Sequence, residues 1–206
     1  MSRIVFVDTE VSIDSGKVCD YGAVNAENEE LHTKSEKEFA DFIRKGIFPF
    51  GDRFICGHNI IAHDLKYIEN AVDRSGIKYI IDTLYLSPLL FPNKPYHALL
   101  KDDKLRTDEL NNPLNDSIKA MQLFYDEINA FSDLDEDMKN IFCSLLYEKK
   151  EFYGFFVYLK IKPSGDVGEL IKKVFSGKIC SSCDVEKIRT CPHRIKIYAK
   201  ACGYAK

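Results

Sequence analysis

Asp8 and Glu10 stand two apart at the end of the run Ile4-Val5-Phe6-Val7. Four consecutive apolar residues, three of them β-branched, read as a strand buried on both faces. Side chains two apart on a strand share a face, so two carboxylates leave the same side of it. Both ionised at close range, they repel, and one is expected to be protonated unless a cation lies between them. Hard divalent cations take carboxylate oxygens, and Mg²⁺ suits a substrate that brings phosphate. Asp-x-Glu is a common triplet, however, and the plain alternative is a pair of polar residues at a strand exit. Two further carboxylates sit at helix heads. Asp64 is read one short turn into a helix after Cys56-Gly57-His58-Asn59, and Asp116 in the first turn of a helix capped by Asn112. A helix dipole favours a negative group at each place. Spacing along the chain does not by itself bring the four together.

The elements that must position them follow from punctuation and periodicity. Asp14-Ser15-Gly16-Lys17 is a turn, Val18 to Val24 a second strand, and Leu31 to Thr33 a third after the turn Glu27-Asn28-Glu29. Two successive hairpins predict an antiparallel meander with the first strand inside the sheet. Ser35 and Glu38 form a capping box for a helix through Phe39, Phe42 and Ile43. Phe54 to His58 reads as a strand, and a helix from about Ala62 carries Leu65, Ile68 and Val72 on one face and stops at Gly76. Tyr79 to Ile81 is a short strand, with Asp82 capping a helix over Leu84 to Leu90. Asn112 caps and Pro113 opens a helix through Leu114, Ile118, Met121, Tyr125 and Ile128. Beyond it only helical patterns remain: Met138 to Tyr147, Glu151 to Tyr158, Gly168 to Phe175 and Ile195 to Cys202. The expected fold is α/β, a mixed five-stranded sheet flanked by helices, with an all-helical C-terminal appendage. The expected division is residues 1–130 and 131–206.

Composition narrows the classes. The chain has 206 residues, 45% hydrophobic and 30% charged, as in an ordinary soluble domain with room for an appendage. A net charge of -3 argues against a basic nucleic-acid coat but leaves room for an enzyme touching a few phosphates. No leader precedes the first strand and no apolar run is long enough to span a membrane, so a cytoplasmic protein is expected. Seven cysteines, with Cys19, Cys56 and Cys143 in apolar surroundings, suggest reduced thiols.

In this order and spacing, Val7-Asp8-Thr9-Glu10, the stretch Gly57-His58-Asn59 to His63-Asp64, and Asn115-Asp116-Ser117 resemble the DEDD superfamily of 3′–5′ exonucleases, which have a ribonuclease-H-like fold. The resemblance spans Ile4 to Ile128. It implies that Asp8, Glu10, Asp64 and Asp116 hold two Mg²⁺ or Mn²⁺ ions, which suit in-line displacement at phosphorus. It implies a nucleic-acid 3′ end as substrate, DNA in preference to RNA, with Thr9, Asn59, His63 and Asn111 around the terminal nucleotide. A narrower resemblance runs through Leu89-Leu90-Phe91-Pro92, Tyr96-His97, Lys101 to Leu105 and Asn112 to Asp116. These segments look like the exonuclease-like domain heading certain RecQ-type bacterial ATP-dependent helicases. That implies a helicase module in a longer chain, which an apolar helix just before Tyr204 would also suit. The chain itself carries no Gly-x₄-Gly-Lys-Ser/Thr phosphate loop.

One part departs from the family pattern. The general base of the histidine subclass falls at Asn111 and that of the tyrosine subclass at Asn112, and neither amide takes a proton. His97 is a substitute base, or otherwise a surface or capping histidine. A non-catalytic module that holds nucleic-acid ends or a partner protein is therefore the rival expectation. Cys180, Cys183, Cys191 and His193 offer soft ligands, but at irregular spacing with Pro192 between the last two, and no shared zinc is expected.

Overall fold

The structure is a computed structural model, and it describes residues 3–45, 51–99 and 112–178. Five strands form its sheet: β1 (Arg3–Val11), β2 (Val18–Asn25), β3 (Glu30–Thr33), β4 (Arg53–Gly57) and β5 (Tyr79–Asp82). Their order is β3-β2-β1-β4-β5. β1 to β3 are antiparallel neighbours, and β4 and β5 run parallel to β1. The sheet is therefore mixed, with β1 in its centre. Seven helices accompany it among the described residues: α1 (Glu36–Lys45), α2 (Leu65–Ser75), α3 (Thr83–Leu90), α4 (Pro113–Ser132), α5 (Glu136–Leu146), α6 (Lys150–Leu159) and α7 (Val167–Val174). An α/β fold with a five-stranded mixed sheet, flanking helices and a helical C-terminal region is what the sequence predicts.

Alternation along β1 divides the core into two layers. Val5 and Val7 face the helices α1 and α2 in a cluster with Phe39, Ile43, Ile68 and Val72. Ile4 and Phe6 face the other way, into a cluster with Phe54, Cys56, Phe124, Phe131, Phe155 and Phe156. Both sets are almost wholly buried. A strand sandwiched between two helical layers needs apolar side chains on both faces, which is why its run is unbroken. The parity continues past Phe6: Asp8 and Glu10 point toward α4 and Thr9 toward the α1–α2 layer.

Two glycines let helices touch the sheet. A Cβ on Gly22 of β2 would fall on the backbone of Pro113 and Leu114. A Cβ on Gly154 of α6 would fall on the carbonyl of Ile80 in β5. Only glycine permits so close an approach of backbone to backbone. α5, α6 and α7 contribute Ile141, Phe142, Phe152, Phe155 and Ile171 to the same cluster as α4. The C-terminal helices share their core with the sheet.

Some elements differ from the sequence reading. α2 begins at Leu65, three residues later than expected, because 59–63 forms a turn closed by the His63 amide on the Asn59 carbonyl at 2.9 Å. Asp64 therefore precedes the helix instead of lying within its first turn. Cys19 is exposed instead of apolar-packed, since it lies at the start of β2, beside the irregular register at Glu10 and Val11. Cys56 and Cys143 are buried and unpaired. Asn111, the segment Lys101 to Leu105, the expected helix Ile195 to Cys202, and Cys180, Cys183, Cys191 and His193 lie outside the described residues.

Candidate functional site

α4 is aimed by its cap. The Asn112 side chain accepts from the Leu114 amide at 3.0 Å, and Pro113 supplies a first helical residue with no N–H to satisfy. This start is seated on Gly22. Gly22 is the register partner of Asp8. Directly opposed residues of an antiparallel pair share a face, so the bare Gly22 backbone leaves the space beside Asp8 to α4. Asp116 lies in the first turn after that contact and reaches the carboxylates of β1. Asp8, Glu10 and Asp116 each offer a ligand oxygen, and these oxygens lie within 4.8 Å of one another. All three residues are half-buried. Lys119, one turn further along α4, stands 3.9 Å from the Asp116 carboxylate.

Asp64 is held at Thr9, between Asp8 and Glu10 in the chain. Its Oδ1 accepts from the Thr9 amide at 2.9 Å and the Thr9 hydroxyl at 2.6 Å. The residue is 1% exposed. An aspartate just before a helix ordinarily caps it, but this one makes no cap bond. Its carboxylate instead ties the head of α2 to Thr9, the residue between Asp8 and Glu10 on β1. Burial pushes its pKa up, against the opposing pull of the Thr9 bonds and of His63, whose Nδ1 stands 3.5 Å away. The sequence reading put four carboxylates in one cleft. The structure gathers three, with the fourth bonded to the residue between two of them.

The loop that carries Asp64 is organised by Asp82. That side chain is fully buried. It caps α3 through the Leu84 amide at 3.0 Å, as the sequence implies. It also accepts from the amides of Asn59 at 2.8 Å and Ile61 at 3.1 Å. Asn59 is held at a φ of 65°, a left-handed conformation that asparagine tolerates better than most residues. Burial raises the Asp82 pKa in spite of three amide donors. The extra bonds were not legible in the chain, because Asn59 and Ile61 are more than twenty residues from Asp82. His58 bonds Thr83 through Nδ1 at 2.8 Å, and burial drives its pKa down to about 4, so the ring is neutral at pH 7.

Asp20 joins the neighbourhood unannounced by the sequence. It is the register partner of Glu10, so its carboxylate leaves the same face. His32 Nε2 holds it at 2.8 Å. The alternation Val18-Cys19-Asp20 was the available signal. His97 Nδ1 meets the Ser87 hydroxyl of α3 at 2.9 Å. No protein-family model matches this chain, and no curated protein and no solved structure matches it.

Proposed function

We propose that the chain is a metal-dependent nuclease of the ribonuclease-H-like DEDD type, releasing nucleotides from a nucleic-acid 3′ end, with DNA preferred to RNA. The observation that carries this reading is the meeting of Asp8, Glu10 and Asp116 on one side of the central strand. The donor set supports it. Three hard carboxylate oxygens at this separation suit Mg²⁺ or Mn²⁺. An ion held there supplies an activated water and stabilises charge on the leaving oxygen. In this reading Asp8, Glu10 and Asp116 hold one ion. A second calls on Asp64, whose Oδ1 is held by Thr9.

The strand order β3-β2-β1-β4-β5 agrees with the ribonuclease-H-like type. Thr9, Asn59 and His63 border the same end of the sheet and form the wall for the terminal nucleotide. The buried, unpaired Cys56 and Cys143 accord with a reducing, cytoplasmic setting. No helix among the described residues is long and apolar enough to cross a membrane. A helicase module in a longer chain rests on the sequence resemblance alone.

The test is release of mononucleotides from a 3′-labelled single strand with Mg²⁺ or Mn²⁺. Residues that merely support metal ligands typically cost about 10–100-fold when lost, so Asp8→Asn is expected to cost at least about 100-fold. A wild-type rate equal to that of Asp8→Asn, with both metals and on both DNA and RNA, would falsify the enzyme reading. A non-catalytic module for nucleic-acid ends or a partner protein then takes its place.

A further inference from the structure

A cavity of about 490 Å³ opens between α3, the segment 94–99 and the first turns of α4. Its volume is within the range of small-ligand sites, about 300–1,000 Å³. Lys94 and Lys119 bring two ammonium groups, His97 an imidazole and Ser87 a hydroxyl, while Tyr96 and Leu123 are among the apolar walls. No carboxylate is among the described residues that line it.

The Ser87–His97 bond fixes what the imidazole offers. Ser87 is 1% exposed, and its hydroxyl must donate somewhere. Its partner among the described residues is His97 Nδ1 at 2.9 Å. With Nδ1 accepting from that hydroxyl, the neutral ring carries its proton on Nε2. Burial lowers the pKa of His97, which favours the neutral form. The cavity thus presents an N–H donor and two ammonium groups beside apolar surface. That combination recognises an anion attached to a flat apolar body.

We propose that this cavity binds a nucleoside monophosphate unit, with its phosphate on Lys94, Lys119 and His97 Nε2 and its base against Tyr96 and Leu123. The choice of a nucleotide over other organic anions rests on the nuclease reading, through one contact. Lys119 faces the cavity and also stands 3.9 Å from Asp116, so cavity and acidic group adjoin along one turn of α4. A strand whose scissile phosphate lies at the acidic group brings a neighbouring nucleotide to the cavity. Tyr96, 78% exposed, is placed to cover its base.

The experiment is equilibrium dialysis of the full chain against deoxyadenosine 5′-monophosphate in EDTA, with deoxyadenosine as the uncharged comparison. Because the proposed contacts are cationic and need no metal, binding is expected in EDTA and in Asp8→Asn. Lys94→Ala and His97→Ala are each expected to weaken it about tenfold, and removal of the phosphate by at least as much. Thermal melts establish that the variants fold. If His97→Ala does not, the nitrogen-15 shift of His97 Nε2 in the wild type must move on nucleotide addition. The inference is overturned by any of four results: no binding in EDTA, loss in Asp8→Asn, equal binding of deoxyadenosine, or no effect of either cavity substitution. Strand release by the wild type and not by Asp8→Asn would at the same time leave the nuclease reading standing, so the two fail separately.

Discussion

Glu127 is a fully buried carboxyl group in the middle of α4, and neither of its oxygens has a hydrogen-bond partner among the described residues. Burial, and secondarily Asp82 and Asp126, push its pKa up to about 9, with Lys94 acting in the opposite sense. It is therefore protonated at pH 7. The linkage has a definite sign. A carboxyl with a folded pKa above its unfolded value binds its proton more tightly in the folded state, so stability falls as pH rises from the unfolded value, near 4.5, to about 9. Glu127→Gln removes that proton uptake. Urea melts are expected to show the variant gaining on the wild type from pH 5 to pH 8, and a gap independent of pH would refute the buried acid. Thr9→Val makes a different point. It removes the hydroxyl that holds Asp64 while leaving the amide bond, and the buried carboxylate keeps only part of its satisfaction. A loss of about 1–3 kcal/mol is expected in the same melts at pH 7.

At the scale of elements, the candidate site depends on how closely α4 approaches β2. The start of α4 lies on Gly22, with room for no Cβ between them. Gly22→Ala has to push that start away, at a cost of about 1–3 kcal/mol from overpacking. Asp116 travels with it, so Mn²⁺ affinity is expected to fall together with stability. Titration of Mn²⁺ by electron paramagnetic resonance, on folded variant at low temperature, reads this directly. Unchanged affinity would mean that Asp116 is not set by that contact. The same contact marks the limit of what the chain discloses. The strand, its two carboxylates and the Asn112-Pro113 cap follow local rules and were legible in the sequence, and the cap was found as expected. The seating of Asp116 over Asp8 depends on Gly22, which as a lone strand glycine could equally have marked a bulge. The anchoring of Asp64 is hidden for the opposite reason. Its position before a helix is a local signal, and a tertiary bond to Thr9 overrides it. The cap at Asn112 also accounts for that residue's identity: its amide is employed in starting α4, which a tyrosine would not do.

For the whole molecule, the decisive feature is that the sheet and the C-terminal helices have no boundary between their cores. Phe124 and Phe131 of α4 pack against Phe155 of α6 with ring centroids 6.4 and 5.4 Å apart, in edge-to-face geometry. Phe54 of β4 meets Tyr158 of α6 in the same way at 5.2 Å. Each such ring, fully buried, contributes about 1.5–3 kcal/mol by leaving water, and edge-to-face pairing adds about 0.5–1.5 kcal/mol. Gly154 brings α6 onto the backbone of β5, which α6 covers as a second layer. A helical region attached by a linker would melt by itself, but one that supplies half of a shared core cannot. The chain is therefore expected to unfold in a single transition, with far-ultraviolet circular dichroism and tyrosine fluorescence giving the same midpoint. A chain shortened to end at Ser132 is expected to lose its fixed tertiary packing and to bind a hydrophobic dye, because the faces of Ile4, Phe6, Phe54 and Phe124 lose their cover. Phe155→Ala, which removes one ring from the joint between the two regions, is expected to lower the stability by about 3–5 kcal/mol while keeping the transition single. Two separated transitions in the wild type, or a shortened chain that melts cooperatively, would show instead that residues 1–132 fold alone.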